Sequence, residues 1–163
     1  MLLISDASVL IDVELAGLSE PMFRLAHEFA VPDVLFEEEL RDQHEALLVL
    51  GLQLRPMPAI VIETSVRLRH RYRHPSQNDL FALALAIHEQ CDLLSGDRRL
   101  VEAARELGLN ARGTLWVVEE LLVAGSIDGP RAQTCYTAMR QGGSRLPWLE
   151  IEHQLARWAA GQR

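Results

Sequence analysis

The sequence contains no lysine, and this absence excludes several classes of protein. All 16 basic residues of the 163-residue chain are arginine. A P-loop ATPase needs a lysine on its nucleotide phosphates, and a Schiff-base enzyme needs a lysine amine. A phosphotransfer receiver that depends on lysine is excluded on the same ground. Whatever chemistry the chain performs has to be carried by other side chains.

Cysteine and long apolar runs are scarce as well. The two cysteines, Cys91 and Cys135, lack the spacing of a metal site, which fits a reducing cytoplasm. The apolar stretches are far shorter than the roughly 20 residues that cross a membrane, so no membrane association is expected. Because no basic leader precedes the first apolar run, we also expect no signal peptide and a cytoplasmic location.

What the chain does have is an ordinary globular composition with an excess of acid. Its hydrophobic content is 48% and its formal net charge is −7, which suits a single domain with a sizeable core. A protein that coats nucleic acid would usually be basic. A nuclease stays open, because acidic metal ligands lower the formal charge and bound cations restore it locally.

Apolar runs and amphipathic stretches alternate along the chain, which indicates βαβ units and a parallel sheet. Strands are predicted at Leu2–Ser5, Phe29–Val31, Gly51–Met57, Asp92–Ser95 and Asn110–Gly113. Helices are predicted at Val9–Ala16, Pro32–Val49, Ile60–His74, Ser76–Glu89, Arg98–Leu107, Thr114–Ala124, Arg131–Arg140 and Trp148–Trp158. We expect an α/β fold, a three-layer α/β/α sandwich with a central, mainly parallel sheet.

The chain after Ile127 adds two helices to this pattern. We expect residues 1–163 to form a single domain, with 127–163 as a helical C-terminal extension. An apolar stripe on the last helix either covers the flank of the domain or forms a groove for a partner, and the first is favoured because such stripes are mostly core. The stripe consists of Trp148, Ile151, Leu155 and Trp158.

Four acidic residues fall where a parallel sheet would bring them to one edge. Asp6 and Asp97 directly follow apolar strand runs, Asp79 opens a helix, and Glu38 lies a turn or two inside another. Residues after parallel strands gather at the carboxyl edge, where ligands bind. Carboxylates without lysine or cysteine companions suit Mg²⁺ or Mn²⁺, and two such ions about 4 Å apart can clamp a phosphodiester.

Each of these acids also has a simpler interpretation. Asp6, Asp79 and Asp97 stand near helix starts, where a carboxylate caps the helix, and Ser76 with Asp79 resembles a capping box. The run 37–39 is three glutamates, most simply a solvated helix face, and charge alone does not separate Glu38 from Glu37 or Glu39. It is the joint arrangement that favours a metal site.

Four segments, in this order, resemble a PIN-domain ribonuclease of the kind found as the toxin in bacterial toxin–antitoxin pairs. They are ISDASVLI, VPDVLFEEEL, NDLFALALA and LLSGDRRL, and GTLWVVEELLVAGSI is similar to the C-terminal helix of one PIN subgroup. The resemblance covers about residues 3–127. It implies a PIN-like fold, a Mg²⁺ or Mn²⁺ cofactor and RNA hydrolysis. By position, the catalytic and metal-binding residues are Asp6, Glu38, Asp79 and Asp97, with Glu39 the nearest competitor of Glu38.

The resemblance also bears on substrate and partners. It implies RNA as the substrate, and it leaves a cognate antitoxin and a homodimer open as partners. Ser8 falls where small hydroxyl residues are common, and it could hold a carboxylate or a phosphate. Arg69, Arg71 and Arg73 are candidates for gripping the RNA backbone, because arginine binds phosphate bidentately. Their simpler interpretation is a solvated, positively charged helix end.

A second function stays open at this point. In it, the same fold is a non-catalytic module that binds nucleic acid or protein, and the acids serve mostly as helix caps.

Overall fold

The computed structural model describes residues 1–161, and its centre is a single parallel sheet. The strands run in the order β3-β2-β1-β4-β5, and each pairing is parallel. The strands are β1 (Leu2–Ser5), β2 (Glu28–Pro32), β3 (Gln53–Arg55), β4 (Asp92–Leu94) and β5 (Ala111–Arg112). The expected parallel sheet is therefore confirmed, with several strands a few residues shorter than the apolar runs suggested.

Helices cover the sheet in the expected three-layer α/β/α arrangement. The helices are α1 (Ala7–Leu15), α2 (Ser19–Phe23), α3 (Asp33–Leu35), α4 (Arg41–His44), α5 (Ala46–Leu50), α6 (Ala59–Arg71), α7 (Gln77–Glu89), α8 (Arg98–Glu106), α9 (Thr114–Val123), α10 (Gly129–Gln141) and α11 (Trp148–Ala159). Helix α7 lies against β1, β2 and β4 and packs with α6 and α8, whereas α1 packs with α2, α9 and α10. Among residues 1–161, no helix is long and apolar enough to span a membrane.

The core forms around the central strand and the helix above it. Leu3 and Ile4 of β1 are fully buried, and so are Leu80 and Leu83 of α7. A strand that is apolar at successive positions is typical of a parallel sheet covered on both faces. This packing fixes the directions of β1 and β4, and hence the positions of the polar residues that follow them.

The continuous helix predicted over Pro32–Val49 is wrong. Pro32 ends β2, and a five-residue π-helical turn, Phe36–Leu40, separates α3 from α4. Phe36 and Leu40 are both fully buried, and the wider turn holds both in the core while the three glutamates between them are exposed. A π turn carries an extra residue, so the helix faces beyond it differ from those that a 3.6-residue period predicts.

The last two helices pack against α9. Tyr136 Oη of α10 donates a 2.6 Å hydrogen bond to Gln154 of α11, and Gln154 Nε2 donates to Leu115 O at 3.2 Å. Arg157 binds Glu119 through two 3.0 Å hydrogen bonds. The apolar stripe of α11 packs against the core, so it covers the flank of the protein; its members are Trp148, Ile151, Leu155 and Trp158.

Candidate active site

The strand order creates a switch point between β1 and β4. The chain proceeds from β1 through β2 to β3 on one side of the sheet and from β4 to β5 on the other. Asp6 directly follows β1, and its backbone N–H donates to Leu94 O at 2.9 Å. Ser95 and Asp97 follow β4. Crevices at such a switch point are where open parallel sheets bind ligands.

Asp6 is the buried centre of this region. Its side chain caps α1 and accepts hydrogen bonds from Val9 N at 3.3 Å, from Ser8 Oγ at 2.8 Å and from Ser95 Oγ at 2.5 Å. Only 1% of Asp6 is exposed. Burial raises the pKa of Asp6 to about 6; the three hydrogen bonds oppose this rise, and the charge of Asp79 adds to it. A buried carboxylate with another acid nearby is stabilised by a cation.

The two serines hold Asp6 in place. Ser8 Oγ also accepts a hydrogen bond from Gly96 N at 3.3 Å, and Ser95 Oγ accepts one from Asp97 N at 3.0 Å. Each hydroxyl therefore links Asp6 to the loop after β4. Of the two uses that the sequence left open for Ser8, holding a carboxylate is visible here, and binding a phosphate stays a prediction.

Asp79 and Asp97 are helix caps, as the simpler interpretation expected. Asp79 forms a capping box with Ser76: Ser76 N donates to Asp79 Oδ2 at 3.1 Å, and Asp79 N donates to Ser76 Oγ at 3.0 Å. Asp97 Oδ1 accepts from Leu100 N at 2.8 Å. Each cap uses one carboxylate oxygen and leaves the other for a further partner, so capping and metal binding are compatible.

The glutamates of the π turn face different surroundings. Both Glu38 and Glu39 are exposed, but Glu38 accepts a 2.8 Å hydrogen bond from Asn78 Nδ2, whereas Glu39 lines the same cleft as Asp6 and Asp79. Burial raises the pKa of Glu39, a hydrogen bond from Asn78 lowers it, and the charges of Asp79 and Glu38 raise it again. The geometry thus favours Glu39 over Glu38 as the fourth acid.

Asp6, Glu39, Asp79 and Asp97 line a cleft of about 620 Å³. The carboxylate and hydroxyl oxygens in its lining are ligands that suit a hard cation such as Mg²⁺ or Mn²⁺. Within residues 1–161, no three His, Cys, Asp or Glu side chains form a ready-made metal cage. Mg²⁺ does not require one, because it keeps several waters and uses one or two carboxylates together with substrate phosphates. The lining residues include Asp6, Ser8, Asp12, Glu39, Ser76, Asp79, Gly96, Asp97 and residues 142–145.

Asp12 is a cleft residue that the sequence reasoning missed. It lies in α1 and accepts hydrogen bonds from Ser144 Oγ at 2.5 Å and Thr114 Oγ1 at 3.3 Å. Burial raises the pKa of Asp12, and the two hydroxyls lower it. The available signal was an acid directly after the apolar run Val9–Ile11. Its partner Ser144 lies in the C-terminal extension, which therefore reaches the cleft.

Two of the three arginines predicted to bind RNA have local partners. Arg69 donates to the backbone carbonyls of Tyr72, Arg73 and Pro75 at 3.4, 3.1 and 2.8 Å, which closes the loop before α7. Arg71 pairs with Glu106 at 3.4 Å and lies over the Tyr72 ring. Arg73 is exposed, and none of the three lines the acidic cleft. RNA binding by these arginines stays a prediction.

The fold and the cleft define a class: a parallel α/β protein with a carboxylate-lined cleft at its switch point. A family model described as the PIN domain matches residues 2–159, so the chain belongs to the PIN-domain family. No curated protein matches the sequence.

A solved structure supports the same fold. A PilT N-terminus domain protein from the hyperthermophilic archaeon Sulfolobus solfataricus has a TM-score of 0.53 and 15% identity, and the match covers 74% of this chain and 94% of that one. A toxin–antitoxin complex from Klebsiella pneumoniae matches with a TM-score of 0.46 and 16% identity, over 60% of this chain and 88% of that one. The second similarity is too low to support an argument about this chain.

Proposed function

We propose that this PIN-domain protein is a Mg²⁺- or Mn²⁺-dependent endoribonuclease that hydrolyses RNA phosphodiester bonds. The observation that carries the proposal is that Asp6, Glu39, Asp79 and Asp97 line one cleft. Asp6 supports it most, because a buried carboxylate whose pKa is raised to about 6 needs a positive partner at neutral pH. Family membership supports it too.

Each acid has a distinct part in the proposed reaction. Asp6 would hold the cation, and the hydrogen bonds from Ser8 and Ser95 fix the orientation of its side chain. Asp79 and Asp97 contribute from the starts of α7 and α8, where the caps fix their side chains. Glu39 either binds metal or orients the attacking water, a role that the sequence assigned to Glu38.

The bound cation would supply positive charge to the phosphate and a water acidified toward neutrality. Hydrolysis forms one P–O bond between an attacking water and phosphorus, and it breaks one P–O bond of the RNA backbone. One product keeps the phosphate, and the other takes a proton to become a hydroxyl. The chain's own residues position the water and keep the substrate phosphate against the acids.

Asp79→Asn tests the proposal with a built-in control for folding. Asparagine keeps an oxygen that accepts the Ser76 backbone hydrogen bond, but it lacks the charge that holds a cation. We expect wild-type protein to cleave single-stranded RNA with Mg²⁺ or Mn²⁺ and not with EDTA, and the variant to lose cleavage while melting at the same temperature. Metal-dependent cleavage that persists in the variant would refute the role of this residue.

The second candidate is a non-catalytic module that binds nucleic acid or protein. Its support is the observation that Asp6, Asp79 and Asp97 all serve as caps. It predicts that Mg²⁺ and Mn²⁺ leave the melting temperature unchanged, whereas the nuclease proposal predicts an increase. A thermal melt with and without each cation separates the two.

We further propose that the protein acts in the cytoplasm as one domain over residues 1–163, and as the toxin of a toxin–antitoxin pair. In that case expression of the wild type arrests growth and expression of Asp79→Asn does not. Growth at the wild-type rate with active enzyme present would remove the toxin assignment and leave the nuclease assignment standing. Size-exclusion chromatography with light scattering tests the homodimer.

A further inference from the structure

A second cavity, which we call the arginine cavity, adjoins the acidic cleft. It has a volume of about 360 Å³, at the small end of the range for ligand sites. Three arginines line it and no acid does, whereas five acids and one arginine line the acidic cleft. The lining residues are Ser95, Gly96, Val101, Arg105, Ala111, Arg112, Gly113, Thr114, Leu115, Trp116, Arg145, Leu146 and Pro147.

Two residues line both cavities, and they join the two into one surface. Gly96 and Arg145 belong to each lining. Gly96 has no side chain to separate them, and a Cβ added there would lie 3.4 Å from Ser8 Oγ. A ligand that extends from the acids past Gly96 therefore enters the arginine cavity directly.

The arginines differ in how far they are engaged. Arg112 pairs with Asp92 at 3.1 Å and stacks over the Trp116 ring, which fixes its guanidinium. Arg105 and Arg145 are exposed, and among residues 1–161 neither guanidinium has a hydrogen bond or ion pair. Two uncompensated guanidinium groups beside a fixed third are a preformed site for an anion such as phosphate.

The position of Arg145 is built into the fold. It follows Ser144, whose hydroxyl binds Asp12 of α1, and it lies in the turn after α10. In the same turn, a Cβ added to Gly142 would lie 2.1 Å from Leu15 Cδ2, so the turn rests directly on α1. The C-terminal extension thereby places the positively charged side chain of Arg145 at the acidic cleft.

The remaining walls of the cavity are apolar. Val101, Trp116, Leu146 and Pro147 contribute them, and the indole of Trp116 is partly buried beneath Arg112. A ligand that combines a phosphate with a flat apolar ring matches both kinds of wall. A nucleotide has this composition, because its base stacks on aromatic and apolar surface while arginine binds its phosphate.

We propose that the arginine cavity is the subsite for the nucleotide that flanks the scissile phosphodiester, with Arg105 and Arg145 binding its phosphate. The proposal rests on the nuclease function, because a scissile phosphodiester exists only if the protein cleaves RNA. Nucleotide binding to the cavity can nevertheless be tested without cleavage. Arg145 then belongs to the substrate-binding surface.

The test is binding of adenosine 5′-monophosphate to the full chain in EDTA, where no metal-dependent hydrolysis occurs. The chain has three tryptophans, so the indole N–H region of an NMR spectrum reports on three sites, and only Trp116 lines this cavity. We expect the nucleotide to shift the Trp116 signal, identified with Trp116→Phe, and to leave Trp148 unshifted. Adenosine and inorganic phosphate, each lacking one half of the ligand, should bind more weakly.

The variants Arg105→Ala and Arg145→Ala should each weaken nucleotide binding at least about tenfold, the effect of losing a charge-assisted hydrogen bond. Arg99→Ala is the matched control: it removes the same charge from α8 at an exposed position outside the cavity, and it should change binding less than about twofold. Unchanged melting temperatures establish that the variants fold.

The outcomes separate this proposal from the nuclease function. Arginine-dependent nucleotide binding supports the cavity even if the protein cleaves no RNA. RNA cleavage together with no shift at Trp116, or with Arg105→Ala and Arg145→Ala binding like the wild type, overturns the cavity and leaves the nuclease standing. Equal binding of phosphate and nucleotide would overturn the nucleotide assignment.

Discussion

The acidic cleft and the arginine cavity lie side by side at the carboxyl edge of one sheet, yet they carry opposite charge. Asp6, Asp12, Glu39, Asp79 and Asp97 line the first, and Arg105, Arg112 and Arg145 line the second. Net charge says nothing of this separation. A chain with a formal charge of −7 can bind a polyanion when several of its arginines lie together at the place where the RNA strand binds.

The largest expected effect sharpens the acidic side of the comparison. Glu39→Gln should lower the RNA cleavage rate about 100-fold or more, because Glu39 lines the cleft beside Asp79. Glu38→Gln is the matched control one residue away, and it should lower the rate less than about threefold, because Glu38 does not line the cleft. Single-turnover cleavage assays measure both. The reverse order of effects would return the fourth site to Glu38.

The pKa of Asp6 gives a prediction about the metal-free protein. A pKa raised from 3.8 to about 6 means that folding favours the neutral carboxyl. The contribution of Asp6 to stability is fully present below pH 4 or so and is lost as the pH rises through about 6. At pH 7.5 the cost of the charge is about 3 kcal/mol at most, since about two pKa units separate the folded and unfolded states.

Asp6→Asn should therefore stabilise the metal-free protein by about 1 to 3 kcal/mol at pH 7.5 and flatten this part of the pH dependence. It should also abolish the stabilisation by Mg²⁺. Urea unfolding in EDTA between pH 5 and pH 8 measures the first effect. Asp42→Asn, at an exposed position of α4, is the control and should follow the wild type. Destabilisation at pH 7.5 would contradict the interpretation of Asp6 as a strained acid.

The salt dependence of RNA binding tests the arginine cavity. Loss of one phosphate contact on a single strand reduces the slope of log K against log[salt] by about 0.7, so Arg105→Ala combined with Arg145→Ala should reduce the slope for single-stranded RNA by about 1.4. Arg69→Ala should leave it nearly unchanged, because that guanidinium binds backbone carbonyls. Fluorescence anisotropy over a range of salt concentrations gives both slopes. An unchanged slope in the double variant would place the phosphate contacts elsewhere.

The smallest effect concerns the contact that joins the two regions. Ser144→Ala removes one of the two hydroxyl donors to Asp12 and should lower stability by about 1 kcal/mol. It should also raise KM for RNA more than it changes kcat, because Arg145 loses its fixed neighbour. Thr137→Ala, an exposed hydroxyl on α10 that bonds only within its own helix, serves as the control. Equal KM values for the two variants would mean that Ser144 does not position Arg145.

The sequence predicted those features that depend on local order and failed on those that depend on distant contacts. Asp6 and Asp97 were found because residues after parallel strands meet at one edge. Glu39 was obscured by the π turn, whose extra residue no hydrophobic period reveals. The sequence did not predict the arginine cavity, because Arg105, Arg112 and Arg145 come from three separate parts of the chain. It also did not predict that Arg69 donates to backbone carbonyls, since that contact does not follow from its charge.

The junction of the two cavities at Gly96 and Arg145 gives the site a direction. The acids line only the acidic cleft and Arg105 lines only the arginine cavity, so a bound RNA strand is not held symmetrically about the bond that is cut. Under our proposal, the nucleotide on one side of that bond contacts Arg105 and Arg145, and the nucleotide on the other side lacks these contacts. An RNA without a nucleotide on the arginine side would be a poor substrate. The terminal bond at one end of an RNA strand should therefore resist cleavage, while the terminal bond at the opposite end does not.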